Sequence, residues 1–243
     1  MTSRPQRNWP RAIRAMRELV EHPDRTYLAF DINEALDPEM PERQLTRMLA
    51  EPSGRRIFRE SSSLQRHLDD PHALAALPEG SFGRAYLEHL ERHGLTPSKL
   101  VELGDEVERR AAHIDPDLRW MRQRVGMTHD LWHVLTGYGA DTIGEATLLL
   151  FSLGQAGGRA NLLLAFGANL RVLLERGPRW IPYAWKAWRR GRRAKCLAAL
   201  PYEELLAKPL AEVREAAGIE PPERAHPGGV LRASLAPGAS STA

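Results

Sequence analysis

The chain has one cysteine, Cys196, among its 243 residues and so cannot form an internal disulfide. A secreted, disulfide-built scaffold is therefore excluded, and a cytoplasmic setting is the default expectation. Long apolar runs are also missing, because the tract 146–158 stops at Arg159 and the tract 160–170 stops at Arg171. Both are shorter than the roughly 18 residues that a membrane-spanning helix needs. No secretory signal is visible, so we expect a protein that is soluble or bound to a membrane surface.

Strand signals are absent as well, since no run of alternating β-branched residues occurs. Leucine, alanine, arginine and glutamate dominate the composition, and all four favour helices. Short breaks rich in proline and glycine separate the helical segments. Hydrophobic residues make up 42% of the chain, which is enough to build a core. We predict an all-α, single-domain helical bundle over residues 25–220.

The net charge is only +3, and the basic residues are concentrated in two places. Residues 1–24 carry arginines and interleaved apolar residues before their first acid, Glu18, which predicts a basic amphipathic N-terminal arm. Three interpretations of this arm stay open: it binds anionic lipid, it is an N-terminal helix whose arginine face is solvated, or it is an organellar transit peptide. The second place, Trp180–Lys195, mixes tryptophans with arginines and predicts contact with a membrane surface. Residues 221–243 are rich in Pro, Gly, Ser and Ala, and we expect them to form a disordered tail.

Nucleic acid is not expected as a partner. The chain outside the basic segments is nearly balanced in charge, and no nucleic-acid-binding motif occurs in it.

His129, Asp130 and His133 form the most informative cluster of the sequence. On a helix, the two histidines lie one turn apart on one face, with Asp130 beside His133. A second helix that begins near Thr142 would fold back as a hairpin and turn Glu145 toward the histidines. Neutral imidazoles and carboxylates are the ligands that zinc takes from proteins. The pattern therefore predicts a metal site on a helical hairpin.

Each of these residues also has an ordinary explanation. Thr142 and Glu145 fit a capping box, in which the glutamate binds a backbone amide and touches no metal. A single histidine or acid on a helix is commonly a core or surface residue. The two histidines and the adjacent acid together favour a metal-ligand role, because burying three polar groups on one face is costly unless something binds them.

The hairpin's second helix and the helix after it have wide apolar faces, which predict an apolar cavity beside the metal. The same residues could equally form plain core. The apolar residues concerned are Leu148, Leu149, Leu150, Phe151, Leu153, Leu162, Leu163, Leu164 and Phe166. Gln155, Asn161 and Asn169 interrupt them and either line the cavity or pair with backbone.

The pattern His-Asp-x-x-His at 129–133, with Glu145 after a further eleven residues and Arg124 before it, resembles the signature of the fourth coenzyme Q biosynthesis protein family. The chain departs from that family at Gly126, where an arginine is usual, and at Trp120, where a tyrosine is usual. Further blocks resemble the family in the same order, at 77–86, 191–195 and 202–210, and the resemblance extends over about 27–219.

The resemblance implies a late step of ubiquinone synthesis, in which the C1 carboxylate leaves a polyprenylated hydroxybenzoate ring with the help of a divalent metal. Zinc is expected, with iron, manganese and magnesium as alternatives. By this resemblance His129, Asp130, His133 and Glu145 hold the ion, Asp130 alternatively supplies a proton, and Arg124 neutralises a second anionic group. Two histidines and a carboxylate also suit ferrous oxygenases, so an oxidative route stays open.

The implied partners are the polyprenylated aromatic substrate, the membrane surface and other quinone-biosynthesis proteins, and homodimerisation is left open. The implied location is cytoplasmic, peripheral on the inner membrane face. A rival hypothesis is a non-enzymatic, lipid-binding scaffold that organises the quinone-making assembly. A second rival is a phosphohydrolase built on a His-Asp doublet, which needs further ligands on separate helices. The remaining histidines considered offer no convincing pairing with a distant aspartate: His67, His72, His89, His93 and His113.

Overall fold

The computed structural model describes residues 7–22, 25, 27–60, 64–94 and 115–232. Within these ranges the chain is helical and contains no strand, only an isolated bridge between Ser81 and Pro209, which confirms the all-α prediction. The elements are α1 Trp9–Glu21, α2 Leu28–Leu36, α3 Met40–Ala50, α4 Pro52–Glu60, α5 Leu64–Leu68, α6 Pro71–Ala75, α7 Phe82–Arg92, α8 Pro116–Thr136, α9 Thr142–Ala156, α10 Arg159–Arg176, α11 Trp180–Arg193, a 3-10 turn Leu197–Ala199, α12 Tyr202–Leu205, α13 Leu210–Ala217 and α14 Pro222–Ala225.

The main core lies where α7, α8, α9 and α11 meet the short helices α12 and α13. Buried aromatic rings fill it, among them Phe82, Tyr86, Phe151 and Tyr202. The Trp132 indole N–H donates to the Tyr202 hydroxyl at 3.0 Å, so the polar atoms of these two rings satisfy each other. This packing fixes the C-terminal half of α8, which carries the candidate ligands.

Helices α9 and α11 cross at close range because glycines face each other there. A Cβ on Gly191 would overlap the carbonyl oxygen of Phe151, and one on Gly154 would overlap backbone of Trp188. Only glycine permits such an approach of two backbones. The two helices therefore pack backbone to backbone near the C-terminal end of α9.

The N-terminal arm packs against the bundle as α1. Its Ala12 and Ala15 are buried against α2 and α10, and Arg11 forms ion pairs with Asp31 at 3.1 Å and Glu34 at 2.9 Å. One arginine of the basic face is therefore used for ion pairs within the fold.

The expected boundary at Pro221 does not agree with the structure. Residues 222–225 form α14, and His226 is buried against Tyr138 and Tyr183. These aromatic contacts hold the segment in place, which its proline- and glycine-rich composition did not reveal. Residues 233–243 lie outside the described residues. Among the described helices, none has both the length and the apolar character needed to cross a bilayer.

Candidate metal centre

The hairpin of α8 and α9 forms as predicted, with sharper limits. Helix α8 ends at Thr136 because Gly137 adopts a left-handed conformation, with φ of 77°. The Gly137 N–H donates a hydrogen bond to the His133 carbonyl oxygen. Helix α9 begins with Asp141 as its N-cap, whose carboxylate accepts from the N–H groups of residues 143 and 144. The capping-box interpretation of Glu145 is therefore wrong, because Asp141 performs that role and leaves the Glu145 side chain free to face α8.

The structure brings the four predicted ligands together. The ligand atoms of His129, Asp130 and His133 lie within 4.8 Å of one another. Glu145 reaches both imidazoles, with 3.1 Å from its Oε1 to His133 Nε2 and 3.7 Å from its Oε2 to His129 Nε2. His133 is fully buried, whereas the side chains of His129 and Glu145 are 48% and 41% exposed. The cluster therefore opens to solvent on the side of His129.

The hydrogen bonding of His133 makes it suited to bind a cation. Its Nδ1 lies 3.1 Å from the Tyr138 carbonyl oxygen, and a carbonyl only accepts, so Nδ1 carries the proton. The other ring nitrogen, Nε2, faces the Glu145 carboxylate at 3.1 Å. A positive charge shared between these two atoms, as a proton or as a metal ion, satisfies both of them. A backbone carbonyl that fixes the tautomer of a ligand histidine is a common feature of metal sites.

The carboxylates of the cluster are ionised. Burial opposes their charge, but the contact with His129 lowers the pKa of Asp130, and the contact with His133 lowers the pKa of Glu145. Desolvation likewise opposes the charge of His129, yet the hydrogen bond that its ring N–H donates to Asp130 and the charge of Glu145 raise its pKa to about 9. Without a metal, the cationic His129 ring compensates the two carboxylates; a divalent ion that displaces the His129 proton would find two anionic oxygens and two imidazoles.

Arg124 does not join this cluster. Its guanidinium is buried and donates to the carbonyl oxygens of Ala198 at 3.1 Å and Leu200 at 2.7 Å, and it pairs with Glu203 at 3.1 Å. The planes of Trp120 and Tyr202 lie beside it. Its contacts tie α8 to the segment before α12, so the predicted role of neutralising a substrate anion does not agree with its position.

The apolar residues expected to line one cavity are divided between core and surface. Leu148 and Phe151 are buried in the main core, whereas Leu162 and Phe166 on α10 are more than half exposed. Gln155 donates to the carbonyl oxygens of Gly191 and Ala194, so this polar interruption pairs with backbone. A cavity of about 250 Å³ is present between α11 and residues 226–231, away from these leucines.

Two histidines that the sequence reasoning set aside lie at the cluster. His89 lies on the last turn of α7 and His93 is the residue that caps it; their ring centroids are 4.8 Å apart, and the His89 centroid is 5.4 Å from that of His133. Their four-residue spacing, equal to that of His129 and His133, was the signal available in the sequence.

A family model described as coenzyme Q (ubiquinone) biosynthesis protein Coq4 matches residues 6–223, which include both helices of the hairpin and the α1 segment. The chain belongs to this family. The earlier resemblance is thereby confirmed, and the Coq4 match extends beyond the range of 27–219 expected from the motifs.

Curated relatives agree with the family match. Over 83% of this chain, the sequence is 30% identical to a protein of Scheffersomyces stipitis named ubiquinone biosynthesis protein COQ4, mitochondrial. Over 73% of the chain it is 31% identical to the COQ4 homolog of Rattus norvegicus, also named as mitochondrial. The matched regions span 61% and 64% of those proteins, so the chain covers about three fifths of their length.

The fold also has a solved counterpart. A crystal structure from Nostoc punctiforme, of a protein named provisionally for ubiquinone biosynthesis, superposes with a TM-score of 0.63. It covers 88% of this chain and 99% of the other, at 20% sequence identity. At that identity the likeness concerns the fold alone.

Proposed function

We propose that this Coq4-family protein takes part in ubiquinone biosynthesis as a metal-dependent enzyme that removes the C1 carboxylate from a polyprenylated hydroxybenzoate ring. The observation that carries the proposal is the convergence of His129, Asp130 and His133 with Glu145, whose carboxylate lies 3.1 Å from His133 Nε2. Two imidazoles and two carboxylates brought together by the fold are a donor set that suits a divalent ion.

Four residues would hold the metal ion, and two of them are exposed enough to leave it accessible. His129, Asp130, His133 and Glu145 would hold it, with zinc as the expected metal and iron, manganese or magnesium as alternatives. When bound, a divalent ion supplies a Lewis acid that stabilises negative charge developing on the ring. Tyr138 fixes the His133 ring through its carbonyl oxygen. The exposed side chains of His129 and Glu145 leave one side open for the substrate.

The reaction releases CO₂ and returns one proton to C1. Asp130 is a weak candidate for the proton donor because its pKa is lowered and it is therefore ionised. A ligand role suits it better, and a water molecule on the exposed side can deliver the proton. An oxidative variant, in which a hydroxyl replaces the carboxylate, needs O₂ and a redox-active metal such as iron.

An exposed apolar row on α10 supports contact with a membrane, where a polyprenylated substrate resides. Leu162, Phe166, Leu170 and Leu174 recur every four residues and are 42–79% exposed. Exposed Ile181 and Trp185 continue this surface onto α11, next to the exposed arginines of the same helix. Apolar side chains beside cations favour the interface of anionic lipid. We propose a peripheral position on the inner membrane face, in contact with other quinone-biosynthesis proteins.

The same row supports a second candidate function, a lipid-binding scaffold that organises quinone-making proteins. Exposed apolar patches of this kind also mark protein interfaces, including those of homodimers. In that case the metal would only brace the hairpin of α8 and α9.

The deciding experiment measures metal content and product in one variant and a matched control. Glu145→Gln removes an anionic ligand from the first turn of α9, and Glu212→Gln changes an exposed glutamate on the first turn of α13. We expect the E145Q protein to lose its metal and its release of labelled CO₂ from a carboxyl-labelled substrate, with E212Q unchanged. Assays with and without O₂ separate the two routes. An E145Q protein that keeps both metal and turnover refutes the enzymatic proposal, and binding of prenylated lipid without CO₂ release supports the scaffold.

A further inference from the structure

The cavity between α11 and residues 226–231 is separate from the metal centre. Its volume is about 250 Å³, and none of the four candidate metal ligands lines it. The residues that line it are Arg179, Pro182, Tyr183, Lys186, His226, Pro227, Gly228, Gly229 and Leu231. Pockets for drug-sized ligands span about 300–1,000 Å³, so this cavity suits a smaller molecule or the head of a larger one.

Side-chain contacts at both ends of the segment 226–231 hold the cavity open. The Tyr183 ring stacks on the His226 ring, with 4.2 Å between their centroids. The Tyr183 hydroxyl accepts a hydrogen bond from the Leu231 N–H at 3.2 Å, and the Tyr138 hydroxyl lies 3.1 Å from His226 Nε2. The segment is therefore tied to the helix bundle, and the cavity is formed before any ligand arrives.

Two cationic side chains line the cavity, and its lining contains no acid. Arg179 and Lys186 are seven residues apart on α11, which places them on the same face of the helix. Both side chains are exposed, and neither has an ion-pair partner among the described residues. Two unpaired cations beside one cavity create a positive potential that attracts an anion.

The positive potential extends to the inner wall of the cavity. Burial, together with the charges of Arg190 and Lys186, lowers the pKa of His226 to about 4. The His226 ring is therefore neutral at pH 7, and the charge of Lys186 acts on the wall as well as at the opening. A bound anion would meet no negative charge in the cavity lining.

The rest of the wall is apolar and leaves room beside the cations. Pro182, Pro227 and Leu231 contribute carbon atoms to it. No atom lies within 4 Å of the position that a Cβ on Gly228 would take. A ligand that fits the whole cavity therefore has an anionic group for the cations and a short organic group for the apolar wall.

A phosphate monoester has both of these parts. Its phosphate carries a charge of about −1.5 to −2 at pH 7 and has three strong acceptor oxygens. An arginine can bind two of those oxygens through its planar guanidinium, and a lysine can bind as a point charge. A single carboxylate has one charge and would leave one of the two cations unmatched.

We propose that this cavity is a binding site for a phosphate monoester, with Arg179 and Lys186 as the residues that bind the phosphate group. The ester can be a free molecule or a lipid headgroup, because exposed Ile181 and Trp185 of the proposed membrane surface lie on the same helix. The site rests on the cavity alone and does not depend on the reaction proposed at the metal.

The first test is a calorimetric titration of the full-length protein with glycerol phosphate. The key variant combines Arg179→Gln with Lys186→Gln. The matched control combines Arg189→Gln with Arg192→Gln, which removes the same charge from exposed positions of the same helix outside the cavity.

We expect saturable binding of one equivalent in the wild type and in the R189Q/R192Q control. The R179Q/K186Q protein should bind at least about tenfold more weakly, because it loses charge-assisted hydrogen bonds. Both replaced side chains are exposed, so the variant should keep the circular dichroism of the wild type. If it does not, Lys186→Gln alone should weaken binding by about threefold or more.

A flotation assay distinguishes a lipid headgroup from a free ester. Phosphatidylcholine vesicles containing phosphatidate, a monoester, are compared with vesicles containing phosphatidylglycerol, a diester, at equal zeta potential. A preference for phosphatidate that R179Q/K186Q abolishes and R189Q/R192Q retains supports the site and identifies the membrane as the source. Binding of glycerol phosphate without this preference supports the site with a free ester as its ligand.

Two results would overturn the proposal. One is the absence of saturable glycerol phosphate binding up to about 10 mM together with equal flotation on the two kinds of vesicle. The other is an equal loss of binding in R179Q/K186Q and R189Q/R192Q, because the attraction would then come from the overall charge of α11. Neither result bears on the metal site, whose test is the E145Q variant.

Discussion

Replacement of Arg124 separates a structural from a catalytic role for this residue. Its guanidinium is 1% exposed and makes three contacts, to two carbonyl oxygens and to Glu203. Arg124→Met keeps most of the side-chain volume and removes every donor. The change leaves the carbonyl oxygens of Ala198 and Leu200 and one contact of the Glu203 carboxylate without their present donor.

The expected loss of stability is large because the lost partner is buried. Breaking a buried ion pair by removing one member costs about 3–5 kcal/mol, since the remaining polar groups stay in a poorly hydrated environment. A hydrogen bond from a charged donor contributes about 1.5–3 kcal/mol, so losing the two bonds to carbonyl oxygens gives a destabilisation of similar size. We therefore expect the free energy of unfolding of R124M to fall by about 3–5 kcal/mol.

The measurement is urea unfolding followed by tryptophan fluorescence, with Arg55→Met as the control. Arg55 also donates to two carbonyl oxygens, of Leu49 and Ala50, but in an exposed position. Its replacement should change stability by less than about 0.5 kcal/mol. Combining R124M with Glu203→Gln should cost less than the sum of the single changes, because the two residues are in contact.

Metal content gives the second readout. Arg124 contacts none of the four candidate ligands in the described structure, so folded R124M should bind as much metal as the wild type does. An R124M protein with wild-type stability that has lost turnover would refute this reasoning and restore the substrate-binding role predicted from the sequence.

Three further changes test other parts of the fold. Burial and the nearby charge of Arg190 lower the pKa of His226 from 6.5 to about 4, so as the pH falls below 6.5 the unfolded chain takes up this proton first. The free energy of unfolding should therefore drop by up to about 3 kcal/mol as the pH falls from the unfolded pKa to the folded one. In urea-unfolding measurements at a series of pH values, His226→Gln should remove most of this drop. Gly191→Ala should lower the melting temperature, because overpacking between α9 and α11 costs about 1–3 kcal/mol. Gly228→Ala should leave it unchanged, because no atom lies near the Cβ position of Gly228. Replacing exposed Arg189 and Arg192 with glutamine should weaken flotation with anionic vesicles by about 1 kcal/mol per charge, and unchanged flotation would contradict the membrane surface.

The hairpin could be predicted from the sequence because local signals define it. The four-residue spacing of His129 and His133 fixes their common face on any helix. Gly137 ends α8 and Asp141 begins α9, and each acts through backbone atoms within five residues of itself. These local interactions are sufficient to turn Glu145 back toward the histidines.

Features that depend on long-range packing could not be predicted in the same way. The partners of Arg124 are 74–79 residues further along the chain, so the sequence around Arg124 does not indicate that its side chain is buried. The apolar faces of α9 and α10 have similar compositions, yet Phe151 is buried and Leu174 is 79% exposed. Hydrophobicity alone therefore does not decide which helix face meets a neighbour.

The α7 histidines show where local and long-range information meet. His89 and His93 repeat the spacing of His129 and His133, whereas His67 and His72, five residues apart, do not share a helix face. The spacing therefore selects the correct pair, but it does not show what the two rings contact. Packing of α7 against α8 stacks the His89 ring on His133 and buries the imidazole nitrogens. Those nitrogens gain no hydrogen bond within the described chain, so their burial is unfavourable on its own.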